Sequence, residues 1–236
     1  EFVDSIHTAI MCILETKLEV VDQFVIMQCL GLAYDAFFYL PATDTRGGIF
    51  VAWDSTKVHL INFVNDTNFI TGYVTPVVGP AWWLTVVYGP QEDAEKILFL
   101  EELTARRQLC PGPWIVIGDF NMILYAQDKS NARLDRIMMS RFKRFMDDNT
   151  LKELFLHGRR FTWSSEPEVP TLTKIGRSFV SIDWELDHPQ CLMQALSTST
   201  SDHCSLYLAM EEQLHYRGGS GLRNSGRSSM VFCEGN

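Results

Sequence analysis

No two cysteines in this sequence stand in a C-x-x-C pair. The six, at positions 12, 29, 110, 191, 204 and 233, are scattered along the chain. That spacing excludes a zinc ribbon and a dense disulfide framework, and it reads as reduced thiols in an intracellular protein. No apolar run reaches the ~18–20 residues needed to span a bilayer, so no membrane role is expected. Residues 1–30 lack a basic leader followed by a clean apolar stretch, so a secretory signal is not evident. There is no internal repeat at solenoid periods. Lys and Arg never cluster into a run of five to eight, so no nuclear-import signal of that kind is present. Positive charge is scarce overall. The net charge is −9, which argues against a generic nucleic-acid binder.

What is present suits one large core. The chain has 236 residues, 46% hydrophobic and 12% aromatic, enough for a single sizeable domain. Charge is unevenly spread. Residues 1–120 carry six Lys/Arg against fifteen Asp/Glu, whereas residues 121–180 carry eleven against seven. A basic middle beside acidic strand ends suits a metal site that also handles a phosphate chain, although charge alone reads first as a solvated helix face.

Apolar patterning predicts strands at 9–17, 47–54, 58–64, 69–78 and 81–90, the last four as an antiparallel meander. A helix is predicted over 92–109, with acidic residues in its first turn and Arg106 and Arg107 near its end. "CPGP" (110–113) breaks it. "WIVIGDFN" (114–121) follows as a buried strand that ends on Asp119 and Asn121. Two residues apart on an extended chain, these side chains would share a face. A helix at 140–154 and strands at 159–165, 177–186 and 200–210 complete a layered α/β sandwich spanning 1–210. The Gly/Ser/Arg-rich residues 211–236 read as a disordered tail.

Polar groups end four of these segments: Glu15, the Asp119/Asn121 pair, Thr162, and Asp202 with His203. Tyr88 joins them at the end of "VVYGP". Carboxylates on separate strands suit Mg²⁺, a hard cation that keeps several waters. An Asp beside a His suits acid–base work. Together they meet the needs of metal-assisted phosphodiester hydrolysis. Singly, Glu15 reads as a solvated carboxylate, "SDH" as a turn and Tyr88 as a half-buried aromatic; His157, His188 and His215 read as surface or packing residues.

The order of the pieces carries more than any one of them. "ETKL" (15–18), "GGIFVAW" (47–53), "VVYGP" (86–90), "PWIVIGDFN" (113–121), "RRFTWSS" (159–165), "FVSIDWE" (179–185) and "SDHCSL" (201–206) occur in one sequence. In that order they resemble the endonuclease/exonuclease/phosphatase superfamily, most closely the endonuclease domain of plant LINE-type (non-LTR) retrotransposon polyproteins. The resemblance implies a DNase I-like four-layer α/β sandwich with its site at one edge of two packed sheets. It implies Glu15 as the ligand of Mg²⁺, with Mn²⁺ as an alternative. It implies Tyr88 and Asn121 on the phosphate, and Asp119 on the attacking water or leaving group. Thr162 and Arg160 fall on the substrate wall, and His203 on the scissile phosphate with Asp202 orienting it. The implied partner is DNA, and the implied place of action the nucleus.

Three departures accompany the match. The family's opening strand, which ends in an Asn, is lacking, and its neighbour is expected to be an unpaired edge. Gly176 stands in "KIGR" where relatives carry an Asp, and Asp183, roughly 20 Å further along a strand, is too distant to replace it. Ser205 stands where a proline is usual. Relatives also carry a reverse transcriptase domain that this sequence lacks. Two readings stay open: a Mg²⁺-dependent DNA-nicking endonuclease, and a truncated, inactive remnant of one. A sugar-phosphate or lipid phosphatase ranks third, for want of a head-group loop.

Overall fold

The computed structural model describes residues 8–43, 47–165, 168–196, 201–210 and 229–234. In chain order the elements that build the site are β1 (Ile10–Leu14), α1 (Gln23–Leu30), β2 (Ala36–Leu40), β3 (Ile49–Trp53), β4 (Val58–Asn65), β5 (Phe69–Pro76), β6 (Trp82–Tyr88), α2 (Asp93–Leu109) and β7 (Trp114–Asp119). There follow α3 (Arg136–Asp148), β8 (Leu151–Glu153), β9 (Leu156–His157), β10 (Trp163–Ser164), β11 (Leu172–Thr173), β12 (Gly176–Ser181), α4 (Ile182–Asp187), β13 (Leu192–Ala195), β14 (Leu206–Ala209) and β15 (Ser229–Glu234).

Two large sheets result. One runs β2-β3-β1-β15-β14-β13-β9 and the other β4-β5-β6-β7-β12-β8. Alternation along each strand sends one set of side chains between the sheets and the other outward. Cys12, Leu14, Val51, Leu84, Ile115, Ile117, Val180 and Leu206 fill the layer between the sheets. Phe99, Leu103, Val116, Phe120, Phe142 and Phe179 pack α2 and α3 onto the outer face of the six-stranded sheet. Met11, Phe50, Val231 and Ile26 pack α1 onto the outer face of the other. The α/β sandwich therefore has four layers. Among the described residues no helix is long and apolar enough to cross a membrane.

Several sequence expectations are corrected. The strand at 47–54 does not join the meander: β3 pairs antiparallel with β1 in the other sheet, and only β4, β5 and β6 form the meander. The helix expected at 140–154 runs instead over Arg136–Asp148, because Asp135 caps it by accepting from the amides of Ile137 and Met138. Leu151–Glu153 then turns into a strand on β12. The strand expected at 177–186 stops at Ser181, whose hydroxyl caps α4.

The largest correction concerns the tail and the expected open edge. Residues 229–234 are a strand, and it lies in the middle of the seven-stranded sheet. β15 pairs parallel with β1 and antiparallel with β14, so β1 has a neighbour on each side. The rest of the expected tail, 211–228 and 235–236, lies outside the described residues.

Candidate active site

β7 is apolar from Trp114 to Ile117 and fully buried, which fixes it as an interior strand. It ends at Asp119, only 2% exposed. Gly118 makes this end possible. Its φ is +137°, and a Cβ there would stand 2.0 Å from the Val87 carbonyl oxygen of the neighbouring strand. β6 runs parallel to β7 with Tyr88 in register with Asp119, so the two side chains start from one level of the sheet.

Asp119 and Asn121 do meet, but not by strand alternation. Asn121 has left the strand for the left-handed region, at φ 50°. Its amide donates to Asp119 Oδ1 at 2.7 Å, and its Nδ2 donates to the Gly89 carbonyl at 2.7 Å. The turn places the carboxamide between the ends of β6 and β7. Asn tolerates this backbone better than most residues.

Glu15 follows β1 and also lies in the left-handed region, at φ 54°. Gly47 backs it: a Cβ on that glycine would come within 2.6 Å of Glu15 Cα. The Glu15 carboxylate forms an ion pair with Lys17.

His203 lies on the loop that enters β14. Burial draws its imidazole below the usual histidine pKa, against the raising pull of Asp119, then Asp202, then Glu15. Carboxylates from three separate segments thus act on one ring. Asp202 Oδ2 accepts the indole N–H of Trp163 at 2.9 Å. Nothing in the sequence singles out Trp163 within "FTW". It also bridges His203 in an isolated antiparallel pair.

Thr162 lies at the centre of the site's scaffold. It is 3% exposed, and its hydroxyl oxygen accepts from the amides of Ile175 at 3.0 Å and Gly176 at 2.9 Å. Its carbonyl accepts from the Cys204 amide. Gly176 in turn pairs with Asp119. One residue therefore ties the β7–β12 end of one sheet to the His203 loop of the other. It builds the wall from within instead of lining it. Thr162→Val is expected to leave two buried amides without an acceptor, costing about 2–4 kcal/mol, while Thr162→Ser keeps most of the stability. Urea unfolding of both variants checks this; equal midpoints would remove Thr162 from that part.

Arg160 is exposed. It donates to the Gln127 carbonyl at 2.8 Å and lies over the Phe161 ring, so it braces the flank of the site. Gly176 is closely packed: a Cβ would meet Leu206 at 3.3 Å and Thr162 at 3.4 Å, so a neighbour would have to give slightly. Asp183 lies in α4, at the opposite end of β12 from Gly176, and does not reach the site. Tyr88, Asp119 and Asn121 meet at the ends of β6 and β7, Asp119, Asp202 and Glu15 lie within electrostatic reach of His203, and Thr162 and Arg160 make the scaffold contacts just given.

The arrangement can be compared with known proteins. The model of the Endonuclease/Exonuclease/phosphatase family matches residues 1–203. No curated protein sequence matches the chain. Among solved structures, the endonuclease domain of TRAS1, a telomere-specific non-LTR retrotransposon, aligns with TM-score 0.62 and 14% identity over 87% of this chain and 99% of that one. Beta toxin from Staphylococcus aureus aligns with TM-score 0.62 and 10% identity, covering 89% and 88%. The 3′ phosphatase NExo from Neisseria, bound to a product DNA hairpin, aligns with TM-score 0.57 and 13% identity, covering 84% and 97%. At such identities these likenesses speak for the fold. The family match, which takes in both the Asp119 strand end and the His203 loop, decides membership: the chain belongs to the endonuclease/exonuclease/phosphatase family.

Proposed function

We propose that this chain is a divalent-metal-assisted phosphodiesterase that nicks DNA, as the endonucleases of non-LTR retrotransposons do. The supporting observation is the convergence on His203. Asp119, Asp202 and Glu15, from the ends of separate segments, all act on its ring, beside a Tyr88–Asp119 pair in register.

The donor set fits Mg²⁺. Among the described residues no three His, Cys, Asp or Glu stand close enough to enclose an ion. Mg²⁺ needs no such cage, since it keeps several waters and takes one or two carboxylates. Glu15 already draws a cation, the Lys17 ammonium, and Glu15 with Asp119 would hold the metal. When bound, the ion neutralises phosphate charge and stabilises the leaving oxygen.

The chain's own groups do the rest. Asp119, held by the Asn121 amide, orients the attacking water and accepts its proton. His203, with its lowered pKa, is a neutral imidazole near pH 7 and donates one N–H to a phosphoryl oxygen. Tyr88 and Asn121 flank the phosphate. Exposed cations at Arg133, Arg136, Arg141, Lys143 and Arg144 give a phosphate backbone somewhere to lie. On this reading the chain acts where chromosomal DNA lies, and we assign it to the nucleus.

A second reading, an inactive domain of the same fold, has one observation in its favour. Gly176 presents no side chain directly across from Asp119, where the family resemblance implies a carboxylate. Nicking of supercoiled plasmid separates the two readings. Purified chain with Mg²⁺ is expected to convert plasmid to open circles, with Mn²⁺ in substitution, and EDTA to stop it. Plasmid left supercoiled at high enzyme concentration, or nicking indifferent to EDTA, would sink the proposal.

A further inference from the structure

β15 is the most unexpected element of the sheet. It lies between β1 and β14 in the sheet order. Its register with β1 runs from Ile10↔Met230 to Leu14↔Glu234, and with β14 from Leu206↔Phe232 to Ala209↔Ser229. The Ala9 amide donates to the Ser229 carbonyl at 2.9 Å. Met230 is 0%, Val231 3% and Phe232 5% exposed. Met230 and Phe232 enter the core between the sheets, whereas Val231 and Cys233 enter the core under α1.

Two consequences follow. First, among the described residues β1 and β14 are joined within the sheet only through β15. β1 leads into Glu15, and the loop entering β14 carries Asp202 and His203. β15 therefore spaces two halves of the site. Second, the connection from β14 to β15 is far longer than the geometry requires. Antiparallel neighbours are commonly joined by ~2–5 residues, but residues 211–228 intervene here, with Gly at 218, 219, 221 and 226 and Arg at 217, 223 and 227. Such a length constrains the strand's position weakly, so the main-chain ladders and the two cores do the holding.

We propose that the slot between β1 and β14 is an acceptor site for an extended peptide. Its occupant is the segment Ser229–Glu234, and that segment can enter from another molecule as well as from its own. Filling the slot sets Glu15 and His203 in one site. The first half concerns strand insertion and stands whatever the chemistry. The second rests on the phosphodiesterase reading.

The full chain tests it, with residues 218–224 replaced by a protease recognition sequence. After cleavage the C-terminal piece is expected to remain bound, and plasmid nicking to persist. A fluorescent peptide of residues 226–236 should then exchange into the cleaved protein. The uncleaved chain, whose own strand competes at high effective concentration, should take up roughly tenfold less or lower still. The same peptide carrying Phe232→Asp should not enter. In the uncleaved chain, Phe232→Asp should abolish nicking, and added wild-type peptide should restore it. No exchange into the cleaved chain would overturn the acceptor slot, and nicking undiminished by Phe232→Asp would overturn its part in setting Glu15 and His203 in one site. Should the Phe232→Asp chain fail to fold, peptide exchange into the unsubstituted cleaved chain still decides. Exchange without any plasmid nicking in the parent chain would keep the slot and sink the phosphodiesterase reading.

Discussion

Asp119→Ala is expected to lower the plasmid-nicking rate by about 10²–10³-fold, the usual effect of removing a preorganised group from the reacting centre. The side chain is buried at the end of a fully apolar strand. It is positioned by the Asn121 amide and stands in register with Tyr88 on one side and Gly176 on the other. Asp119→Asn separates charge from shape. It keeps an oxygen for the Asn121 amide, so the turn survives, but it cannot accept the water's proton and holds a cation more weakly for want of its charge. Both variants should therefore lose rate to a similar degree. The asparagine should unfold at or above the wild-type temperature, since a buried carboxylate is costly to desolvate. Single-turnover nicking beside thermal unfolding distinguishes lost chemistry from lost folding. An Asp119→Asn chain that nicks at the parent rate would take the carboxylate out of the reaction.

The strand carrying Asp119 was legible because four buried apolar residues end abruptly on polar ones. Nothing local, by contrast, reveals that Asn121 turns into the left-handed region: an Asp-x-Asn pair reads equally as extended. α4 was read as strand because Ile182, Trp184 and Leu186 alternate with Asp183 and Glu185. Only Trp184 among the three is buried, and the helix depends on the Ser181 cap instead of an apolar stripe. β15 is not legible in the sequence because its short apolar run follows eighteen residues whose Gly, Ser and Arg content dominates any window. Its pairing is with β1, more than two hundred residues earlier. Local periodicity cannot carry a pairing of that span. Thr162 gave no sign of its two accepted amides, since a buried hydroxyl and a solvent-facing one are written with the same letter. The basic surplus of 121–180 reads as a phosphate-handling or solvated surface, yet Arg177 is fully buried and Lys174 half-buried, both tied up in ion pairs.

Arg177→Ala is expected to destabilise the fold by roughly 3–5 kcal/mol, as breaking a buried ion pair from one side does. Arg177 is 0% exposed on β12. Its guanidinium is held by Asp128 and Glu153 and donates to the Lys174 carbonyl at 2.9 Å. Lys174 reaches Glu153 at 2.7 Å, and Asp128 also accepts the amides of Leu124 at 2.9 Å and Tyr125 at 2.6 Å. Removing the guanidinium would leave two largely buried carboxylates with reduced compensation. For a chain of this size the melting temperature should fall by about 6–20 °C. Neutralising the partners as well, as Arg177→Met with Asp128→Asn and Glu153→Gln, should recover much of the loss, because uncompensated charge and not missing volume is the main penalty. Arg177 pairs with Gly118 across the ladder, one residue from Asp119, but its guanidinium is directed to this network. Nicking per folded molecule at low temperature should accordingly stay within a few-fold of the parent. A melting temperature unchanged in Arg177→Ala would mean that water reaches Asp128 and Glu153, and that the fold at the base of the site rests on the apolar layers alone.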